Sequence, residues 1–342
     1  MRTNARVAVA AATVWLPERR ESATDVGSTA EKAGYTSVTV SDEATVPDMA
    51  VRAAAAALNG AGWDGADLDL LLHAWAYYQG QDDWSAPHYI ADQLEARRAL
   101  PIGIQQICNG GGAALQTAAA YLLGDPSMGR ALITTADRFC GPGFDRWRGD
   151  LGVAYGDGAS AVLLQQTGAG GAGALELCSI TSAAAPELER MNRGDEPFGP
   201  AAHWNNEQID VRRTKKQYLR DHGVAGFRAA EKERLRTVVT TALAEADLSG
   251  HDPTLRWCVV PRLRVDALQS SYVPLLSEVT SGQMLDVGRT TGHLGAGDLT
   301  AGIAELLDQK LLKPGGHALV LGTGSGFTWS CAVLRSPDVD GR

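Results

Sequence analysis

Two stretches of this chain read as copies of one another. The first is Ile102-Gly-Ile-Gln-Gln-Ile-Cys108-Asn-Gly-Gly-Gly, continuing into an alanine-rich segment from Ala113 to Leu123. The second is Met284-Leu-Asp-Val-Gly-Arg-Thr-Thr-Gly292-His293-Leu-Gly-Ala-Gly, continuing from Asp298 to Leu307. Each reads as an apolar strand, a glycine-rich turn and a small-residue helix, and each is followed by another apolar strand, Arg130–Thr135 or His317–Leu321. A duplicated strand–turn–helix predicts two similar halves facing each other across a pseudo-twofold axis. The two turns then meet at the centre and bring Cys108 opposite His293. A thiol facing an imidazole is the arrangement that makes a thiolate nucleophile.

With 342 residues the chain is long enough for two packed halves and a large core. Its apolar runs fall short of the roughly 20 residues a membrane helix needs. The run from Val7 to Leu16 lacks a small-residue cleavage site and is followed by Pro17-Glu-Arg-Arg20, so it reads as a first strand and not a signal peptide. Five scattered cysteines, Cys108, Cys140, Cys178, Cys258 and Cys331, fit neither a disulfide framework nor a zinc module and point to a reducing cytoplasm. A net charge of −9 argues against a nucleic-acid partner.

Strand and helix signals alternate throughout, which predicts an α/β protein with a mainly parallel sheet. Strands are expected at Val7–Ala12, Leu68–Ala74, Ile102–Ile107, Ala131–Ala136, Ala159–Leu164, Leu175–Thr181, Trp257–Val260, Leu285–Val287, Ala318–Gly322 and Thr328–Leu334. Helices are expected at Asp48–Asn59, Ser85–Glu95, Asn109–Leu123, Phe227–Ala246, Ala267–Val279 and Gly297–Leu312. Gly168–Gly173 reads as a joint, which divides the chain into residues 1–170, carrying the cysteine, and residues 171–342, carrying the histidine. Ala183–Lys216 has the least regular pattern and reads as a long functional or mobile loop.

Cys108 is placed where a strand runs into a helix N-terminus, and the free backbone N–H groups and helix dipole there favour an anion. His293 holds the equivalent turn, and Asp298, five residues on, either orients the imidazole or caps its own helix. Gly324, Ser325 and Gly326 open the last strand and can present N–H groups, with that of Cys108, to a developing oxyanion. His203, beside Trp204 in the irregular stretch, is a second candidate base. Trp84, His203 and Phe327 are candidate pocket residues. There is no phosphate loop, dinucleotide fingerprint or metal-ligand spacing, which leaves acyl chemistry without a cofactor. Arg212–Arg236 is basic in an otherwise acidic protein and reads either as a docking patch for an acidic partner or as a solvated helix face. Its candidate docking cations are Arg212, Arg213, Lys215 and Lys216, with Arg264 beyond.

These motifs resemble the β-ketoacyl-acyl-carrier-protein synthase III group of the thiolase superfamily. The likeness runs from Pro47-Asp-Met-Ala-Val-Arg-Ala-Ala through the Cys108 turn and Tyr155-Gly-Asp-Gly-Ala-Ser-Ala-Val to Gly324-Ser-Gly-Phe-Thr-Trp329. It implies the five-layered αβαβα thiolase fold, a homodimer and acylation of Cys108 by a thioester. It also implies an oxyanion hole at Gly324–Gly326, and a segment at Trp84-Ser-Ala-Pro87 that lines the partner's acyl pocket. Condensing members use Cys, His and Asn. This chain has Arg262 where the group has its Pro-His motif, and His293 where it has Asn. Arg262 cannot act as a base near neutral pH. The Cys108, His293, Asp298 set resembles instead the acyltransferase branch of natural-product pathways. The expectation is transfer of an acyl or aryl group from an acyl carrier protein or coenzyme A, through an acyl-cysteine, to a hydroxyl, amine or carrier thiol. The alternative is a decarboxylating, chain-initiating condensing enzyme.

Overall fold

The computed structural model describes residues 1–27, 32–167, 173–201 and 203–338. The joint expected at Gly168–Gly173 lies outside them, apart from Gly173. In chain order the elements are β1 (Val7–Trp15), β2 (Arg20–Ser22), β3 (Ser37–Thr39), α1 (Val46–Ala61), β4 (Leu70–Ala74), α2 (Ala86–Gln93), β5 (Leu100–Ile104), α3 (Gly110–Gly124), β6 (Arg130–Asp137), β7 (Gly158–Gln166) and β8 (Leu175–Ala184). They continue with α4 (Val211–His222), α5 (Ala225–Glu245), β9 (Leu255–Val259), α6 (Val273–Val279), β10 (Gln283–Leu285), α7 (Asp298–Asp308), β11 (His317–Gly324) and β12 (Thr328–Arg335).

The main strands run β5-β4-β6-β7-β1 in one half and β10-β9-β11-β12-β8 in the other. In each half the first three strands pair parallel and the last two join antiparallel, so the repeat extends through whole sheets. The halves meet where β1 pairs antiparallel with β8, Val9 opposite Leu175. The sheet is therefore mixed, not mainly parallel. In the second half the reason is local: β11 and β12 are joined by a three-residue turn, too short for the crossover that parallel strands need.

Alternate residues of single strands point into different layers, as the two-residue period of a strand requires. Leu70, Leu72, Ile133, Val320 and Leu334 face α3 and α7, which lie between the two halves of the sheet. Leu71, Leu132 and Leu163 face α1 and α2 on one outer side. Leu319, Leu321, Cys331 and Val333 face α5 and α6 on the other. The result is five layers, αβαβα. Small residues let the central helices sit this close: a Cβ at Gly111 would lie 2.6 Å from the carbonyl oxygen of Ala296 in the opposite turn. The helix expected over Ala267–Val279 is broken by a π turn at Leu268–Tyr272. α4 begins within the stretch expected to be a loop and runs six residues past its end.

Candidate active site

The Cys108 turn is a single 3-10 turn, Ile107–Asn109, between β5 and α3. Ile107 carries a φ of +47°, a left-handed conformation that is strained for a β-branched residue. The turn lifts Cys108 onto the N-terminus of α3, where the side chain is buried among Phe139, Phe144, Val153 and Tyr155. Cys108 lies on the wall of a cavity of about 460 Å³ that opens beside α4 and α5.

His293 shares that cavity and comes from the matching turn of the second half. Its backbone is fixed from both sides, its N–H on Ala154 O at 2.8 Å and its carbonyl taking the Gly156 N–H at 2.9 Å. Nδ1 lies 2.6 Å from Asp298 Oδ2, and both side chains are buried. Burial alone would lower the histidine's pKa, but the charges of Asp298 and Cys108 and their hydrogen bonds raise it well above the usual range. Burial would raise that of Asp298, yet His293 and Arg262 hold it below the usual carboxylate range. Asp298 is the first residue of α7. Its oxygens take the backbone N–H of Leu294 at 2.9 Å and of Arg262 at 2.8 Å. With Nδ1 committed to Asp298, Nε2 is left for Cys108.

Arg262 is 1% exposed and does not line the cavity. Its guanidinium lies behind Asp298, with Nη1 3.3 Å from the Asp298 carbonyl, Nε 3.2 Å from Thr291 Oγ1 and Nη2 3.8 Å from Glu305. Gly324 presses the β11–β12 turn onto the Cys108–Asn109 peptide: a Cβ there would lie 2.3 Å from the Asn109 nitrogen. Gly324, Ser325 and Phe327 line the cavity and Gly326 does not. Asp137, at the end of β6, was missed by the sequence reading. It takes the N–H groups of Ala76, Tyr77 and Ala296 and so ties the β4 end to the turn that follows His293. Its only sequence signal, an acid ending an apolar strand, is too common to single it out.

Other expected residues fall elsewhere. Trp84 packs against Tyr89 and does not line this cavity within one chain. His203 lies in a separate surface hollow with Trp204 and Asn206, next to Arg213 and Thr214 of α4, and does not line the Cys108 cavity. Of the basic set, Lys215 cannot be a docking residue: it is buried and bound to Asp150 at 2.7 and 2.8 Å. Arg213 pairs with Glu196 and Arg264 with Asp266, while Lys216 is exposed and Arg212 half-buried. The remaining cysteines differ from Cys108 in setting. Burial pushes Cys178 and Cys258 up to about 11 and Cys331 higher still, and Cys140 does not line the Cys108 cavity.

Chemically, the set can supply a thiol, an imidazole with one tautomer fixed by Asp298 and a backbone turn against the Cys108 peptide. Residues 102–182 match the family model of 3-oxoacyl-[acyl-carrier-protein] synthase III, and residues 257–336 match that of its C-terminal part. The chain is 25% identical to the β-ketoacyl-[acyl-carrier-protein] synthase III of Mycobacteroides abscessus over 304 residues, 87% of this chain and 83% of that protein. Among solved structures it is similar to the acyltransferase ChlB3, with 31% identity, a TM-score of 0.86 and coverage of 97% of this chain and 98% of the other. The 3-oxoacyl-[acyl-carrier-protein] synthase III of Aquifex aeolicus shares the fold at 20% identity, with a TM-score of 0.75 over 96% of this chain and 99% of that one.

Proposed function

The chain belongs to the 3-oxoacyl-[acyl-carrier-protein] synthase III family of the thiolase superfamily, and we propose that within it this protein is an acyltransferase that forms no carbon–carbon bond. Cys108 sulfur attacks the carbonyl of an acyl thioester carried by coenzyme A or an acyl carrier protein. His293 Nε2 takes the thiol proton, and Asp298 stabilises the imidazolium. The negative oxygen of the tetrahedral intermediate is met by N–H groups of the Cys108 and Gly324–Gly326 turns. The donor C–S bond then breaks, and the departing thiolate recovers the proton from His293. In the second half-reaction His293 deprotonates the hydroxyl, amine or thiol of an acceptor. That atom attacks the acyl-cysteine, and the Cys108 thiolate leaves and is reprotonated.

The observation that carries this reading is the buried His293–Asp298 pair on the Cys108 cavity, with Arg262 turned away behind it. Condensation needs two neutral donors aimed at the malonyl carbonyl while carbon dioxide leaves. At those positions this chain has an ion-paired base and an arginine that does not face the cavity. Similarity to the acyltransferase ChlB3 along nearly the full length supports the same reading. We extend it to a homodimer in which Trp84 reaches the partner's cavity, and to a carrier protein as the natural donor.

Labelled malonyl thioester offered to the acylated protein tests the proposal. The expected result is no release of carbon dioxide, while a suitable nucleophile regenerates free Cys108 and yields an ester, amide or new thioester. Carbon dioxide release at the rate of turnover would establish the condensing reaction instead. Peptide mapping of the acyl adduct should place it on Cys108 alone, and Cys108→Ala should carry none.

A further inference from the structure

The cavity contains a buried ion pair that the transfer steps above do not use. Lys215, from α4, lies 2.7 Å from Asp150 Oδ1 and 2.8 Å from Oδ2, and both residues line the same cavity as Cys108 and His293. Asp150 is fully engaged. Beyond Lys215 it takes the backbone N–H groups of Leu151 and Gly152 and the Tyr155 hydroxyl at 3.1 Å. Lys215 is not. An ammonium has three protons, and two of them serve Asp150. Among the described residues its Nζ bonds no group but Asp150; it lies 5.9 Å from the Phe327 ring centroid, and Phe227 and Trp329 line the same cavity. Burying a charged pair is costly unless its remaining hydrogen-bonding capacity is also met. The pair is also anchored close to the chemistry, since the Tyr155 ring that bonds Asp150 lies edge-on to the His293 ring at 5.3 Å.

We propose that Lys215, held by Asp150, selects acyl groups that carry a hydroxyl or carbonyl oxygen beyond the thioester, by donating its third N–H to that oxygen. The Lys215–Asp150 unit is neutral overall, so it favours a neutral oxygen over a carboxylate. A fixed donor on the cavity wall is satisfied by the oxygenated group and left unsatisfied when a deoxy analogue binds. A phosphopantetheine arm also carries carbonyl oxygens, so the test must keep that arm short and constant.

This inference rests on the acyl-cysteine reading but not on the nature of the acceptor. The rate of Cys108 acylation is therefore the measurement, followed by intact-protein mass spectrometry. The donors are N-acetylcysteamine thioesters in matched pairs, butanoyl against 3-hydroxybutanoyl and benzoyl against its three hydroxybenzoyl isomers. In the native protein at least one oxygenated member should react about tenfold faster than its deoxy partner, the value of one charge-assisted hydrogen bond. Lys215→Met should bring that ratio close to one. The double variant Asp150→Asn/Lys215→Met, which leaves no orphaned charge, should do the same. Equal rates across every pair in the native protein overturn the inference without recourse to a variant, as does a preference that survives in the double variant. Acylation by none of the donors, coenzyme A thioesters included, would instead overturn the acyl-cysteine reading itself.

Discussion

His293 and Asp298 are both buried and hold opposite charge, so each depends on the other to stay ionised away from water. The pH dependence follows from the directions of their shifts. The raised pKa of His293 gives stability that is fully present below about pH 6.5 and is lost as pH rises through the raised value. The depressed pKa of Asp298 gives stability present above about pH 4 and lost as pH falls further. Asp298→Asn should therefore lower the melting temperature most between about pH 5 and 7 and least in alkali. A difference that stays flat from acid to alkali would show that the two groups do not titrate together. In turnover, His293→Ala should lose about 10³-fold or more, and Asp298→Asn less. The positions of Cys108, His293 and Asp298 on one central site were legible in the sequence because the duplicated turn registers the two halves against each other. The settings of Arg262 and Lys215 were not. Lys215 sits in a run of charges and Arg262 just past the end of an apolar strand, and only the direction of each side chain separates a buried partner from a surface charge.

Among the elements, the β11–β12 turn carries most consequence, because it touches the Cys108 peptide with no space left for a side chain. Gly324→Ala would drive a methyl group to within 2.3 Å of the Asn109 nitrogen, so one of the two turns must move. The variant should fold, since Gly324 ends a strand with ordinary backbone geometry, but acylation of Cys108 should fall by ~10²-fold, as for the loss of one oxyanion donor. Acylation at the native rate would show that the turn takes no part in the site. Most of the ten expected strands are found within a few residues of their expected bounds, because buried strands read as short apolar runs between glycines. Two features could not be read this way. In Val211-Arg-Arg-Thr-Lys-Lys-Gln-Tyr218 charges crowd the sequence and hide the apolar spacing of α4, so it resembled the end of a loop. The π turn at Leu268–Tyr272 leaves helical periodicity nearly intact while changing the hydrogen bonding, so the sequence showed one continuous helix.

At the scale of the whole molecule, a protein of net charge −9 carries a run of cations on α4, the helix that supplies Lys215 and Leu219 to the cavity wall. Lys215 and Leu219, four residues apart on α4, line the cavity. Arg212, Lys216 and Arg220 share the same four-residue spacing and so form an adjoining stripe on that helix, with Lys216 and Arg220 exposed. An acidic carrier protein that delivers a thioester into the cavity would meet this stripe first, and attraction between opposite charges speeds such encounters without adding contacts inside the site. Reversal of all three to glutamate should therefore lower kcat/KM for a carrier-bound donor by about tenfold or more at low salt. The deficit should shrink as salt is raised, because exposed charges are screened over about 10 Å at 0.1 M and over far less at 1 M. N-acetylcysteamine thioesters carry no protein to steer, so their rates should change little in the same variant. Equal losses with both donors would mean that the reversals disturb α4, and with it the Lys215 wall of the cavity. A loss confined to the carrier-bound donor but unaffected by salt would place docking on contacts other than charge.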